Sequence, residues 1–382
     1  MSEYKVPLTK ILTVRNHHNA HSLDIVTVYG FEIVTGRDQY VPGDLCIFVP
    51  PDSILPMDLE TKLFGGPDSK IKLNKSRVKQ IKIRGTYSQG LLIEPEIALQ
   101  YLKDHQGLRS HINQSFFSLE KDYASVIGIV KYEPPAPSYQ GPSLKRDKPK
   151  ENSFFHVYGG IDNFKWYPDL FAEGEQVSIT EKIHGSNIRF GMVPYVANNL
   201  YRKLLKFLGL TPKFEWVYGS NRVQLQQRKG YKGWYGENVY GNVLAKYNAK
   251  DKVQPDEIWY GELYGSGIQG NYNYGCKEGE HKLVVFDLKY QNGTDSYFAS
   301  PDDFMTIAKE RGFEVVPELY RGPYTSKVKL FTEGNSILAP EQKVREGVVI
   351  KPLVEDSTSI IGRKVLKLIS EKYLEADPTD FH

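Results

Sequence analysis

Along most of this 382-residue chain, apolar and polar positions alternate with a period of two, the pattern of half-buried β-strands. Between residues 9 and 56 the apolar runs ILTV, DIVTVYGFEIV and DLCIFV are short. Turn signals separate them at Arg15 to Asn19, at Pro42-Gly43-Asp44 and at Pro50-Pro51-Asp52. More short runs follow near residues 78–94. Short strands at regular spacing predict a small barrel or sandwich, and a five-stranded barrel of the OB type suits a region of about 130 residues. The stretch YEPPAPSYQGPSLKRDKPKE, Tyr132 to Glu151, has five prolines, a basic end and no apolar period. It predicts a linker. The expected organisation is therefore an OB-like domain over 1–131, a linker over 132–152 and a second domain over 153–382.

That second domain is also dominated by strand-like segments: EQVSIT, NIRFGMV, EIWYGELYG, KLVVFDLKY, EGVVIKP and KVLKLIS. They are not each followed by a helix, so an antiparallel or mixed sheet in an α+β fold is expected. One helix carries clear end signals. Ser300 suits the N-cap, Pro301 the first position, Asp302 and Asp303 the positive dipole end, and Gly312 the stop. The segment NLYRKLLKFLGL, Asn199 to Leu210, is amphipathic and basic, and reads as a helix or a long hairpin insertion. No internal repeat is present.

Composition adds exclusions. Hydrophobic residues make up 40% and charged residues 25%, as in an ordinary globular chain. The net charge is only +3, so the chain is no polycation and its local charge matters more. From Lys70 to Arg84 the sequence KIKLNKSRVKQIKIR carries seven basic residues and no acid. Such a run is either a solvated strand face or a phosphate-contacting stripe, with Lys75, Arg77, Lys79, Lys82 and Arg84 as the candidates for nucleic acid. The 26 tyrosines fill sheets or stack on bases. Two distant cysteines, Cys46 and Cys276, form neither a disulfide framework nor a zinc pattern. His17, His18 and His21 lack cysteine or acidic partners and suit a turn or an RNA contact better than zinc. There is no signal-like start and no apolar run near the ~20 residues that span a bilayer. The expectation is an intracellular protein of the cytoplasm or nucleoplasm, without a membrane partner, and nothing demands more than a monomer.

The chemistry-bearing residues lie in the second domain. Lys182 opens K-I-H-G-S-N between two strand-like runs. Alone it would be a surface lysine. Downstream come Glu262 in WYGELYG, Phe286 and Asp287 ending an apolar strand, Glu346 and Lys351 in EGVVIKP, and Lys364 and Lys367 in GRKVLKLIS. Glu346 and Lys351 are five apart, so an ideal pleat puts them on opposite faces unless a bend intervenes. An amine nucleophile, cations for phosphates and carboxylates for a divalent ion are the parts that nucleotidyl transfer to lysine requires.

In this order, the segments resemble the covalent nucleotidyltransferase superfamily of polynucleotide ligases and capping guanylyltransferases. The K-x-H-G-x-N form, with Asn187 closing it, is similar to RNA ligases. DNA ligases and capping enzymes carry K-x-D-G with a basic residue at that last place. In the first domain, H-N-A-x-S-L-D (His18 to Asp24), YVPGDL (Tyr40 to Leu45), PDSILP (Pro51 to Pro56) and IKIRGTYSQGLL (Ile81 to Leu92) resemble the amino-terminal OB domain of nick-sealing, ATP-dependent RNA ligases. The resemblance implies that Lys182 attacks the α-phosphorus of ATP and carries AMP. It implies an ATP site of Glu181, Lys182, Asn187, Arg222, Glu262, Phe286, Val348, Lys351 and Lys367. Arg222 would contact ribose or the acceptor phosphate, Phe286 would stack on adenine and Val348 would be its apolar floor. Glu346 and Glu262 would serve a Mg²⁺ or Mn²⁺ ion, and Lys351 and Lys367 the phosphates. Ile369 stands where such ligases often carry a second lysine. Either Lys364 or Lys351 substitutes, or one contact is lost.

Physical chemistry constrains these roles. A free lysine titrates near ~10.4 and must lose its proton to attack. Mg²⁺ keeps its waters, so carboxylates hold it through the hydration shell. Gly185 lets the backbone approach a ligand closely, and His184 fits a structural hydrogen bond as well as proton transfer. The implied activity is sealing of 3′-OH/5′-phosphate breaks in RNA or RNA-containing nicked duplexes, with the OB domain gripping the nucleic acid. The rivals are a DNA ligase or capping-type enzyme, and a catalytically silent RNA-binding protein.

Overall fold

Period-two alternation becomes antiparallel pairing between the strands, with two isolated parallel bridges, Met192–Pro255 and Val285–Val315, among the described residues. The computed structural model describes residues 4–66, 73–105, 114–133, 151–197, 200–225, 235–270, 272–293 and 295–376. Residues 134–150 of the expected linker, and 70–72 of the basic run, lie outside them. The chain falls into two compact units. One comprises Ser2–Ala136 with Asn163–Leu170 and Leu374–His382, and the other comprises Pro137–Asp162 with Phe171–Tyr373.

The first unit is an OB-fold domain. Leu45–Val49 lies between Leu8–Lys10 and Leu91–Ile93 in one sheet, and Thr13–Asn16, Leu23–Val28 and Phe31–Gly36 form a meander. Gln80–Ile83 and Thr86–Gln89 pair as a hairpin. Val26, Val28, Phe31, Ile33, Cys46 and Phe48 bury their alternate side chains in its core. Asn163–Leu170, which the composition placed in the second domain, belongs to this unit. The cause is aromatic packing: the Trp166 ring lies 5.0 Å from Tyr29, 5.3 Å from Phe31 and 5.4 Å from Phe48, centroid to centroid.

The second unit holds two antiparallel sheets. Its strands are β1 (Gln176–Lys182), β2 (Ser186–Pro194), β3 (Phe214–Ser220), β4 (Glu257–Gly265), β5 (His281–Asn292), β6 (Asp295–Phe298), β7 (Glu318–Pro323), β8 (Gly347–Pro352) and β9 (Leu366–Ile369). One sheet has the order β3-β2-β4-β5-β6, and the other contains β9-β8-β1-β7. On one side of the first sheet Ile188, Phe190, Trp259, Leu263, Leu283 and Val285 form a core with Phe304 and Ala308. Those last two lie on helix α2 (Pro301–Glu310), while helix α1 (Leu200–Phe207) occupies the β2–β3 insertion. Among the described residues no helix is long and apolar enough to cross a membrane.

The ends of α2 follow the expected chemistry. Ser300 Oγ accepts from the Asp303 amide at 3.1 Å, and Pro301 opens the first turn. Ser300→Ala removes this cap and lowers stability by about 1 kcal/mol in urea denaturation.

Candidate active site

Lys182 ends β1, and Ile183-His184-Gly185 turn the chain into β2. The turn presses against β4. A Cβ on Gly185 would lie 2.4 Å from the Leu263 carbonyl oxygen and 2.7 Å from Glu262 Cγ. Only glycine permits that approach, which brings the lysine turn beside Glu262.

Register decides what shares a face with Lys182. Lys182 pairs with Gly347, Thr180 with Val349 and Ser178 with Lys351 across β1 and β8. Across β8 and β9, Val349 pairs with Lys367 and Gly347 with Ile369. Directly paired residues lie on one side of a sheet. Ser178, Thr180, Lys182, Val349, Lys351, Lys367 and Ile369 therefore line one face. Glu181 and Val348 pair with each other on the opposite face.

Two expectations are corrected by this register. Val348 is fully buried on the back of the sheet, and Val349 takes the position beside Thr180 and Lys367. Glu181 is 1% exposed. Its carboxylate accepts from the amides of Ile337 at 2.8 Å and Leu338 at 3.4 Å, anchoring that loop.

Glu346 precedes β8 by one residue, and Lys182 Nζ donates to its Oε1 at 2.6 Å. A bend makes this possible. Gly347 has φ 157°, and a Cβ there would meet the Leu368 carbonyl oxygen at 2.3 Å. Glu346 thus escapes the pleat and reaches the lysine face. Lys351 stands four residues beyond Gly347, the cross-strand partner of Lys182, about 13 Å at ~3.3 Å per residue.

There Lys351 Nζ donates to Asp287 Oδ2 at 2.8 Å and to the Phe286 carbonyl oxygen at 2.9 Å. Arg363 Nη1 donates to the same Oδ2 at 2.6 Å, and the Tyr158 hydroxyl does so at 2.7 Å. Burial alone would raise the Asp287 carboxyl, but Arg363 and Lys351 outweigh it and hold the group at about 2. The amine of Lys351, expected at the phosphates, is buried and held on the Phe286-Asp287 segment. Phe286 packs edge-on against Tyr158, with ring centroids 5.0 Å apart. Its ring borders a gap between the sheets that Ser178, Thr180, Val316 and Lys351 also line.

Opposite Asn187 in the β2–β4 register is Glu262. Burial pushes its carboxyl up to about 8, with Lys182 opposing and Glu346 adding to the rise. Three buried oxygens near this row have no hydrogen-bond partner among the described residues: Glu346 Oε2, Asn187 Oδ1 and Asn221 Oδ1. Asn221 was not singled out from the sequence. The Ile188–Ser220 pairing sets it beside Asn187, and its only sequence signal was adjacency to Arg222, which is exposed.

No cluster of three or more His, Cys, Asp or Glu suited to a metal occurs among the described residues. Two carboxylates, one with an unpaired buried oxygen, fit a divalent ion held through its waters rather than an all-protein cage.

His184 is buried. Its amide donates to the Tyr274 hydroxyl at 2.7 Å, its Nδ1 lies 3.2 Å from the Tyr373 hydroxyl, and the Tyr272 ring stands edge-on at 5.0 Å. The His184 Nδ1 also lies 3.9 Å from Glu346 Oε2. Lys364 does not stand in at Ile369, because its Nζ donates to Glu175 Oε2 at 2.8 Å.

In the first unit, Arg77 leaves the nucleic-acid set. It is 6% exposed, pairs with Asp52 at 2.5 Å and stacks on the Tyr132 ring at 3.7 Å. Lys82 lies 3.4 Å from Glu375. Lys75, Lys79 and Arg84 are exposed.

A family model for RNA ligase matches residues 175–369, and an OB-fold domain model matches residues 6–95. The fold resembles that of the Naegleria gruberi RNA ligase with PPi: TM-score 0.68, 18% identity, covering 98% of each chain. A lysine-to-alanine variant of that enzyme with ATP and Mn matches with TM-score 0.68 and 17% identity over 98% of this chain and 99% of that one. A lysine-to-methionine variant with AMP and Mn matches with TM-score 0.68 and 17% identity over 97% and 98%. No curated protein matches the chain in sequence.

Two outcomes follow from the charges. Asp287→Asn leaves Lys351 buried without its carboxylate, while Arg363 keeps Glu355, and costs about 3 kcal/mol at pH 7. The Asp287 carboxyl sits below its unfolded value near ~3.9, so its contribution is present above that pH and fades as pH falls toward about 2. The gap between wild type and variant in denaturation should close over that window. Glu262 has the opposite sign. Its raised group binds a proton more tightly when folded, so folding weakens as pH rises from ~4.3 toward about 8. Without divalent ions, Glu262→Gln should melt higher than wild type at pH 8 and equal to it at pH 4.

Proposed function

Because the chain belongs to the RNA ligase family, we propose that it is an ATP-dependent RNA ligase that seals 3′-OH/5′-phosphate breaks, with RNA on the 3′-OH side of a nick, through a lysyl-AMP intermediate. One observation carries this reading. The sole lysine of the β1–β2 turn has its amine on Glu346, on the sheet face that leads to Phe286, with Glu262 beside it.

In the first step the Lys182 amine, having lost a proton, forms a P–N bond to the α-phosphorus of ATP, and the bond to pyrophosphate breaks. In the second, an oxygen of the RNA 5′-phosphate takes the adenylate and the P–N bond breaks, which restores the amine. In the third, the 3′-OH attacks the activated 5′-phosphate, a phosphodiester forms and AMP leaves. Each displacement depends mainly on in-line positioning and charge neutralisation.

Residues of this chain supply those functions. Phe286, fixed by Asp287, Lys351 and Arg363, offers an aromatic face to adenine. Asn187 and Asn221 offer unpaired acceptors to ribose hydroxyls, and Glu262 adds a carboxyl. Lys367 and Arg222 offer cations for phosphates. A Mg²⁺ or Mn²⁺ ion, when bound through water to Glu346 and Glu262, supplies charge neutralisation at the phosphates. Glu346 also holds and orients the Lys182 amine.

Matched nicked duplexes with RNA or DNA on each side test the substrate assignment. Sealing should require RNA at the 3′-OH side and tolerate DNA at the 5′-phosphate side. Glu346→Ala should slow protein labelling from α-labelled ATP on the order of 10²-fold. Sealing of all-DNA nicks as fast as RNA nicks would make it a DNA ligase. Labelling by GTP in place of ATP would make it a capping-type enzyme, and no labelling at all would leave an RNA-binding protein.

A further inference from the structure

Helix α1 plays no part in the chemistry above, and it is the most unusual surface of the second unit. At 100° per residue, Leu200, Tyr201, Leu204, Leu205 and Phe207 fall on one arc, and Arg202, Lys203 and Lys206 on the other. The two arcs do not interleave. No residue of the helix is buried. Leu200 is 85% exposed, Tyr201 69%, Leu204 56% and Phe207 87%. Leu208 and Leu210 continue the exposed apolar surface past the helix end. From Tyr195 to Lys213 the sequence has four cations and no acid.

The insertion is rooted rather than loose. The Tyr195 amide donates to the Lys213 carbonyl oxygen at 3.0 Å. Arg202 lies 3.6 Å from Glu215, with its guanidinium 5.3 Å from the Tyr195 ring centre. A helix of eight residues with no buried face is marginal in water. Its apolar arc gains stability only when something covers it.

We propose that α1 docks on an anionic lipid surface, lying in the interface rather than crossing it. The pattern fits lipid on both arcs at once. Leucines and aromatics enter the acyl boundary while flanking Lys203, Lys206 and Lys213 meet headgroup phosphates. An RNA backbone satisfies the cations but leaves the leucine and phenylalanine arc in water. An apolar groove of a protein covers that arc but leaves the cations without partners unless it is also acidic. This inference stands independently of the ligase reading, and the lack of a spanning helix does not bear on it.

Flotation of the full chain with vesicles tests it, using phosphatidylcholine alone and phosphatidylcholine mixed with phosphatidylserine. The chain should float with the mixed vesicles and not with phosphatidylcholine alone. Lys203→Gln with Lys206→Gln should lower partitioning about thirtyfold, from ~1 kcal/mol per cation. Leu204→Glu with Phe207→Glu should abolish it while leaving the melting temperature unchanged, since these side chains are exposed. Absence of binding to the mixed vesicles overturns the proposal. So does undiminished flotation of the Leu204→Glu/Phe207→Glu variant, which would assign binding to another basic segment. A matching loss of affinity for nicked RNA duplex in that variant would give the helix to RNA. A concentration-dependent dimer of the wild type that the variant lacks would give it to a second copy of this chain.

Discussion

The contact between Lys182 Nζ and Glu346 Oε1, at 2.6 Å, exists because two glycines remove side chains where backbones meet. Gly185 lets the β1–β2 turn sit on β4, and Gly347 lets the start of β8 swing Glu346 out of the pleat. The remaining site follows from this pair. Glu262 is set beside it by the Gly185 turn, and Val349 and Lys367 by the β1–β8–β9 register. A partly buried amine held on a carboxylate would be released by a cation competing for Glu346.

The second organising element is the buried Asp287. Four donors or cations converge on its region: Lys351, both sides of the Arg363 guanidinium, and Tyr158. The partners offset the desolvation of this carboxylate, and losing one leaves part of it uncompensated. Its position directly after Phe286 means that this charge network sets the aromatic ring that faces the gap between sheets. Lys351 therefore helps to fix the Phe286 segment through Asp287, about 13 Å of strand away from the Lys182 end of β1.

Much of the fold was legible in the chain because period-two runs and the α2 cap are local signals. Lys182, Glu262 and Glu346, each singled out within a short, ordered motif, lie close to one another. What was not legible depends on pairing. Val348 and Val349 are neighbours in sequence, and only the β1–β8 register places one against the core and the other toward the lysine. Glu181 and Arg77 carry charges that look free in a sequence, yet the amides of Ile337 and Leu338 claim the first and Asp52 with Tyr132 the second. Trp166 lies after the linker in sequence but packs with Tyr29, Phe31 and Phe48, a long-range contact that no window of residues reveals.

The central claim is that the Lys182 amine is the atom that takes AMP. Peptide mapping of the protein after incubation with ATP and Mg²⁺ addresses it directly. The account predicts one adenylylated peptide, containing Lys182, whose linkage is cleaved by acid and survives alkali as a phosphoramidate does. AMP on any other residue, or an unmodified Lys182 peptide after complete reaction, would contradict it.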